Sequence, residues 1–307
     1  MQIIHRGQRD HATKELDKPV RGSWINIVSH DIHEVEDFAR ELKLDEGLMT
    51  DGIDLYEAPR IEREDGATYI YTRYCEPSGS LTSTEPLLIV VTSSYLVTLS
   101  RKHVQEVDKL FGDEATITTQ RAKLILMILS EINKGYRSYI NSITKKIFST
   151  RARLSEKTII NNDEILFFID LEEDLNEFLA ALQPYGIVLD ALARGRYFKL
   201  HEDDRELVED LQLSTNELID LSKSRLKTMQ NIRGAYTTIA TNNLNKIFKR
   251  LTSITIFLMV PTLISGLYGM NVELPHMGSK HAFTVILAIS MGLVVITMLI
   301  FRKKRWL

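Results

Sequence analysis

Two long uncharged apolar segments near the C-terminus constrain this chain more than any other feature. Leu251–Met270 and Ala282–Phe301 each contain twenty residues without a charged side chain. A helix of about 20 apolar residues crosses a hydrocarbon core of roughly 30 Å. The alternative, a pair of buried helices in a soluble core, is disfavoured because core helices rarely run so long without a charge. The sequence therefore predicts two membrane spans, 251–270 and 282–301, joined by an outer loop, 271–281.

The charge distribution predicts the orientation of these spans. Residues 246–307 contain eight of the 38 basic residues and one of the 41 acidic residues, which gives this part a charge of +7. The residues before them contain the other 30 basic and 40 acidic residues, a charge of -10. The basic residues flank both spans, and such flanks face the cytoplasm. The segment Met1–Asp10 lacks the apolar core of a secretory signal. We therefore expect both termini and an acidic domain of about 245 residues to be cytoplasmic.

The N-terminal part, 1–118, has the alternating pattern of an α/β or α+β domain. Runs rich in Ile, Val, Tyr and Thr predict a mixed or antiparallel sheet. The predicted strands are Trp24–Val28, Ile53–Glu57, Thr68–Tyr74, Leu87–Thr92 and Tyr95–Ser100, and helical spacing is found in His33–Leu42 and Lys102–Phe111. Ser93-Ser94 is predicted to form a hairpin turn between the last two strands.

The middle part, 119–250, is predicted to be helical. Gln120–Thr150 and Ser155–Gln183 have helical patterns, and Pro184-Tyr185-Gly186 predicts the end of the second helix. A third helix from about Asp203 to Met270 would be roughly 100 Å long at 1.5 Å per residue. A helix of that length must pack against partner helices, most simply copies of itself. We therefore expect a cytoplasmic stalk that continues into the first span, with the pore domain at 251–307.

The first span has a polar seam that the second lacks. Asn245, Thr252, Met259 and Gly266 are spaced by seven, as are Thr241, Phe248, Thr255 and Thr262. Helices with such seams can associate around an axis with a modestly polar inner face. The alternative is that each hydroxyl bonds to its own helix. Spacing alone leaves both interpretations open.

Several function classes have no support in the sequence. The single cysteine, Cys75, excludes a disulfide framework. The chain contains no phosphate-binding loop, no Gly-x-Ser-x-Gly motif and no paired-cysteine metal site. The near-neutral net charge of -3 gives no reason to expect a nucleic-acid partner. We therefore expect neither an enzyme nor an organic cofactor.

The end of the first span carries the most specific motif. Tyr268-Gly269-Met270-Asn271 resembles the signature of the CorA-type magnesium transporter family, and Pro261, Glu273-Leu274-Pro275 and the basic C-terminus are also similar to it. The resemblance implies a funnel-shaped homopentamer in the cell inner membrane whose first spans line one pore. It also implies gated influx of Mg²⁺, with Co²⁺ and Ni²⁺ also accepted.

The resemblance assigns roles by position. Asn271 would form a selectivity ring, presented by Gly269 and Met270, with Leu251 and Met259 as hydrophobic constrictions. The remaining pore-lining positions would be Asn245, Thr255, Thr262 and, by its seven-residue spacing, Gly266. Neutral amide oxygens suit Mg²⁺, which keeps several of its waters, because they accept hydrogen bonds from those waters. The alternative role for Asn271 is a helix C-cap.

The acidic start of the stalk suggests a sensor. Mg²⁺ bound between cytoplasmic domains closes the pore in the family, and Asp203, Glu206 and Asp210 share one helix face here. The alternative is a solvated acidic surface. The family's usual partner acid lies near a strand end, and the matching hairpin, Thr92-Ser93-Ser94-Tyr95, has none.

Two other functions remain as alternatives. The first is a zinc transporter of the same superfamily with proposed proton coupling; that branch varies the residue before Asn, so Met270 favours magnesium. The second is a membrane-anchored structural or signalling oligomer that conducts no ions. The sequence leaves the physiological ion, the direction of transport and the gating state open.

Overall fold

A computed structural model describes residues 1–8, 10, 13–78, 81–113, 115–156, 162–198, 200–272 and 281–304. The chain divides into two compact units, Met1–Asn231 and Ile232–Leu307. The sheet strands are β1 (Gln2–His5), β2 (Lys14–Glu15), β3 (Trp24–Val28), β4 (Arg60–Glu64), β5 (Ala67–Ser78), β6 (Leu81–Val91) and β7 (Leu96–Ser100). The helices are α1 (Ile32–Leu42), α2 (Glu46–Asp51), α3 (Gln105–Phe111), α4 (Arg121–Glu156), α5 (Asn162–Ala193), α6 (Glu202–Tyr268) and α7 (Ala282–Lys303).

The first unit is built on one seven-stranded sheet in the order β2-β1-β3-β7-β6-β5-β4. The β3–β7 pair is parallel, whereas the other neighbouring pairs are antiparallel. The mixed sheet is therefore confirmed. The β6–β7 hairpin turns at the predicted place, where the amide of Thr92 donates to the carbonyl of Tyr95 at 3.0 Å.

The predicted strand Ile53–Glu57 is wrong. This segment forms consecutive turns, in which Ile53 N–H donates to the carbonyl of Thr50 and Glu57 N–H to that of Asp54. The Asp54 carboxylate also accepts the Tyr56 N–H at 3.0 Å. The short polar side chain of Asp54 therefore favours a turn over hydrogen bonding to a neighbouring strand. The strand lies later, at β4. Strand β2, at one edge of the sheet, and its neighbour β1 were not predicted.

Helices cover both faces of the sheet. One face buries Ile25, Tyr69 and Val97 against α1 and α2, which contribute Val35 and Met49 to the same cluster. Helix α1 begins at its cap Asp31, whose carboxylate accepts the His33 N–H at 2.9 Å. Its buried residues recur at helical spacing, so one apolar stripe faces the sheet.

The other face of the sheet packs against the long helices of the first unit. The Tyr136 hydroxyl of α4 donates to the carbonyl of Arg73 in β5 at 3.1 Å. The Tyr136 ring meets Phe178 of α5 edge to face, with centroids 5.5 Å apart. Both rings are buried. This packing fixes α4 and α5 on the sheet.

The predicted helix end at Pro184 is wrong, because α5 continues through it to Ala193. Proline inside a helix costs about 3 kcal/mol. The neighbouring side chains Leu182, Tyr185 and Leu189 are all buried, and the Tyr185 hydroxyl lies 3.4 Å from the carbonyl of Leu129. Burial of these side chains offsets the cost and carries the helix past the proline.

The predicted long helix is confirmed as α6, with 67 residues that include Pro261. Within the first unit it is joined to α4 by polar contacts: the Asn133 amide donates to Thr215 Oγ1 at 2.9 Å, and Arg137 makes a two-pronged contact with Glu217. The domain boundaries predicted at 118/119 and 250/251 stay predictions.

Candidate ion pathway and cation-binding residues

Among the described residues, two helices are long and apolar enough to cross a membrane, namely α6 through its C-terminal part and α7. Only 6% of the apolar window of each is buried within the chain. A core helix of a soluble protein would be mostly buried, so this exposure does not fit the soluble alternative. Surfaces this apolar need lipid or partner helices to cover them.

Within the second unit, one stripe of α6 is less exposed than the rest. It contains Ser253, Ile256, Phe257, Val260, Pro261 and Ile264. The Phe257 ring lies 5.6 Å from that of Phe301 in α7, centroid to centroid. The stripe of α7 that includes Phe301 is spaced by three or four, at Ile286, Ser290, Val294 and Thr297. These two stripes are the faces that the helices turn toward each other.

The predicted pore-lining residues lie on the opposite side of α6. Asn245, Leu251, Thr255, Met259, Thr262 and Gly266 are all exposed. Each residue of an α-helix is rotated by about 100° around the helix axis from the one before it. The mean direction of these six positions therefore lies roughly 180° around the axis of α6 from the stripe around Val260. Leu251 and Met259 expose 58% and 62% of their surface, which is more than an apolar side chain usually shows. The structure thus leaves this face of α6 uncovered by α7.

The hydroxyls of this face are partly satisfied by their own helix. Thr255 donates to the carbonyl of Leu251 at 3.0 Å, and Thr262 to that of Leu258 at 2.7 Å. These bonds occupy the hydroxyl protons but leave oxygen lone pairs to accept further hydrogen bonds. A hydroxyl that bonds to its own helix can therefore still contribute to a polar inner face, so the two interpretations of the seam are compatible.

The signature segment, 268–271, begins at the last residue of α6. Gly269 N–H donates to the carbonyl of Ser265 at 2.9 Å, and Met270 N–H to that of Leu267 at 3.3 Å. A Cβ atom on Gly269 would lie 3.3 Å from the Ser265 carbonyl oxygen, so glycine permits this close return of the backbone. The rest of the predicted loop, 273–280, lies outside the described residues.

Asn271 itself is exposed and lies beyond this turn. Among the described residues, the non-glycine residues with positive φ are Lys43 and Asp65. Asn271 therefore does not have the left-handed backbone of an asparagine that caps a helix C-terminus. Within the described residues its side chain also makes no hydrogen bond. Both nitrogen and oxygen of the amide are therefore available to a ligand or to water.

The predicted sensor residues Asp203, Glu206 and Asp210 are exposed on the first turns of α6. Within the described part of the chain, no three acidic, histidine or cysteine side chains converge on a possible metal site. The nearby Asp204 has a structural role, because its buried carboxylate accepts the His201 N–H at 3.1 Å. A metal at the three exposed carboxylates would need ligands from water or from another copy.

Two acids of α5 have a role that the sequence analysis missed. The Asp174 carboxylate accepts the Thr82 N–H at 3.1 Å, and the Glu177 carboxylate accepts the N–H and hydroxyl of Thr84. These amides lie on the part of β6 that extends beyond β7. Burial raises the pKa of Asp174, and the Thr82 N–H opposes this. The two carboxylates accept N–H groups of β6 that no strand β7 residue pairs with, so they are not free to attract cations.

The fold and the exposed apolar helices define a membrane protein with an α+β soluble domain, one very long helix and two candidate C-terminal spans. The family model described as "CorA-like Mg2+ transporter protein" matches residues 21–303. The chain belongs to this family of divalent-cation transporters. Transport, not catalysis, is the activity of the family, and Mg²⁺ is its transported ion.

Individual relatives agree with this assignment over nearly the whole chain. The cobalt/magnesium transport protein CorA of Methanocaldococcus jannaschii is 23% identical over 296 residues, covering 92% of this chain and 91% of that protein. The protein of the same description from Thermotoga maritima is 21% identical over 300 residues, with coverage of 93% and 83%. The complete structure of the Methanocaldococcus jannaschii CorA magnesium transporter superposes with a TM-score of 0.88, covering 100% of this chain and 99% of that one. The predicted family is confirmed.

Proposed function

We propose that five copies of this chain form a funnel-shaped homopentamer whose α6 helices line a central pore for passive, gated influx of Mg²⁺. Co²⁺ and Ni²⁺ would also be accepted. The observation that carries the proposal is the uncovered face of α6, with Leu251, Thr255, Met259 and Thr262 on the side away from α7. This face leads to the exposed Asn271. A symmetric ring of such faces would bury them against one another and around an axis.

The residues of this face suit a hydrated dication. Mg²⁺ gives up its waters reluctantly, so its pathway needs acceptors for water hydrogen bonds more than direct ligands. The Asn271 amide oxygens and the lone pairs of Thr255 and Thr262 are such acceptors. Rings of Leu251 and Met259 would form hydrophobic constrictions that close the pore by dewetting.

The basic residues next to the spans support the proposed orientation. Lys249 and Arg250 precede the apolar part of α6, and Arg302 and Lys303 end α7; all four are exposed. Basic flanks remain on the cytoplasmic side. We therefore place both termini in the cytoplasm and the chain in the cell inner membrane.

A flux assay in proteoliposomes tests the function. Purified full-length protein is reconstituted, and influx of Mg²⁺, Co²⁺, Ni²⁺ and Zn²⁺ is compared with and without an imposed proton gradient. We expect Mg²⁺ influx down its own gradient, unaffected by the proton gradient. Proton-dependent Zn²⁺ flux would favour the zinc alternative, and an assembled protein without any flux would favour the structural oligomer.

The acidic start of α6 is proposed as a regulatory Mg²⁺ site that includes a second copy. We predict that Asp203→Asn combined with Asp210→Asn weakens the protection of the full-length protein by Mg²⁺ against limited proteolysis. The reason is that the exposed carboxylates repel one another until a dication neutralises them. The measurement is the Mg²⁺ concentration that gives half-maximal protection, which should rise several-fold.

A matched control removes the same charge from the neighbouring face of the helix. Glu202→Gln combined with Glu209→Gln changes two exposed acids in the same three turns. This variant should keep the protection curve of the unmodified protein. Equal effects of the two double variants would show that only general charge matters and would contradict the site.

A further inference from the structure

A polar cavity of about 650 Å³ lies in the first unit, and its lining includes none of the residues proposed to line the pore. Its walls come from the β6–β7 hairpin, the first turn of α4 and the segment that precedes α6. Small-molecule sites usually occupy about 300–1,000 Å³. The cavity therefore has the size of a site for a nucleotide-sized ligand.

Three cations that form no ion pair within the described residues line the cavity. Arg63, Arg121 and Lys123 line it. Within the described residues none of the three lies within ion-pair distance of a carboxylate. Arg121 is only partly exposed; its guanidinium donates to the Thr92 carbonyl. Burial and the nearby guanidinium of Arg21 both lower the pKa of Arg121.

The start of α4 adds to the same positive potential. This 36-residue helix has no acid in its first turn, where Arg121 and Lys123 lie instead. In the described part of the chain no side chain accepts the free N–H groups of residues 121–123. A helix N-terminus favours negative charge and disfavours cations. The arrangement is electrostatically unfavourable unless an anion lies beside it.

The lining of the cavity also contains Asp203 and Asp204, but neither carboxylate forms an ion pair with these cations within the described residues. Asp204 already accepts the His201 N–H, and Asp203 is exposed. Among the described residues, the charge that shifts the pKa of Arg121 is the like charge of Arg21, which lowers it further after burial. An anion would therefore bind on the α4 side of the cavity.

We propose that this cavity binds a small phosphate-bearing anion, held by Arg63, Arg121, Lys123 and the N-terminus of α4. Phosphate oxygens suit the guanidinium groups, which donate two parallel hydrogen bonds. Tyr197 and Phe198 also line the cavity and offer aromatic surface for a base. The shared chemistry is that of a polyphosphate, supplied either as an inorganic ion or as part of a nucleotide.

Calorimetric titration of the full-length protein in detergent tests the proposal, with pyrophosphate and ATP as probes. We expect binding that Arg121→Gln and Lys123→Gln each weaken by about tenfold or more, as for a lost hydrogen bond to a charged group. Lys145→Gln is the matched control, because Lys145 is an exposed cation on α4 roughly 33 Å further along the helix. It should bind like the unmodified protein.

The variant Tyr197→Leu distinguishes a nucleotide from an inorganic polyphosphate as the ligand. If ATP binds more tightly than pyrophosphate and this variant removes the difference, the ligand is a nucleotide; equal affinities in both proteins indicate an inorganic polyphosphate. Absence of binding by the unmodified protein would overturn the proposal. So would a loss of the oligomer, measured by light scattering, in Arg121→Gln, because the cations would then pair with a second copy. The probes contain no transported cation, so the result is independent of the proposed transport function.

Discussion

Replacing Asn271 by alanine is expected to reduce Mg²⁺ influx in proteoliposomes by at least about tenfold. In the proposed pore each amide oxygen accepts a hydrogen bond from a water of the hydrated ion, and alanine offers no acceptor. Hydrogen bonds to charged groups contribute about 1.5–3 kcal/mol, or roughly 10- to 150-fold each. The structure leaves this amide exposed and free of other hydrogen bonds within the described residues, so the loss should affect transport and not folding.

Two further variants make the result specific. Asn242→Ala removes an exposed asparagine from α6 on the side of the helix away from the pore positions, and it should keep normal influx. Asn271→Asp retains an oxygen acceptor but adds negative charge, so it should bind the dication more tightly and release it more slowly. Normal influx by Asn271→Ala, with the oligomer intact, would contradict the assignment of the selectivity ring.

Replacing Trp24 by alanine is expected to lower the free energy of unfolding of the first unit by about 3–5 kcal/mol. Trp24 is fully buried in β3, and its ring stacks on Phe111 with centroids 4.5 Å apart. Its indole N–H donates to Thr98 Oγ1 at 2.9 Å. The substitution removes a large apolar surface and leaves a cavity next to the only parallel strand pair of the described sheet. Urea unfolding of the full-length protein in detergent, followed by far-ultraviolet circular dichroism, measures the change.

Two controls test whether the burial of a large aromatic ring causes the destabilisation. Trp24→Phe keeps an aromatic ring, so its loss should be clearly smaller than that of the alanine variant. Tyr56→Ala removes an aromatic side chain that is 92% exposed, and it should change the stability by less than about 0.5 kcal/mol. Similar losses for Tyr56→Ala and Trp24→Ala would show that burial of Trp24 does not stabilise this unit.

Local sequence signals predicted the elements that depend on local interactions. The hairpin at Ser93-Ser94 and strand β3 follow from short-range pattern, because each needs only a turn or an apolar run. Helix α6 also follows from it, because no proline occurs between its start and Pro261. The same reasoning failed at Ile53–Glu57, where an Asp side chain bonds to the backbone two residues later. It also failed at Pro184, because the burial of the side chains around it cannot be derived from the sequence near the proline.

The candidate site also has some features that the sequence shows and others that depend on the tertiary structure. The signature at 269–271 and the seven-residue spacing of the first span were visible in the sequence. By contrast, nothing in an acidic run shows which carboxylates are already used. Asp174, Glu177 and Asp204 satisfy backbone N–H groups, whereas Asp203 and Asp210 remain exposed. Their different surroundings arise from contacts between segments far apart in the chain.

By itself the sequence determined the family, the two candidate spans and the order of soluble domain, long helix and C-terminal spans. Charge, apolar length and a short signature are properties of contiguous residues, so they can be read without coordinates. Only the tertiary structure decided which face of α6 is covered and which acids are structural. It also placed the cations Arg63, Arg121 and Lys123 around one cavity. These features depend on packing between distant segments, where burial and hydrogen bonding outweigh local preference.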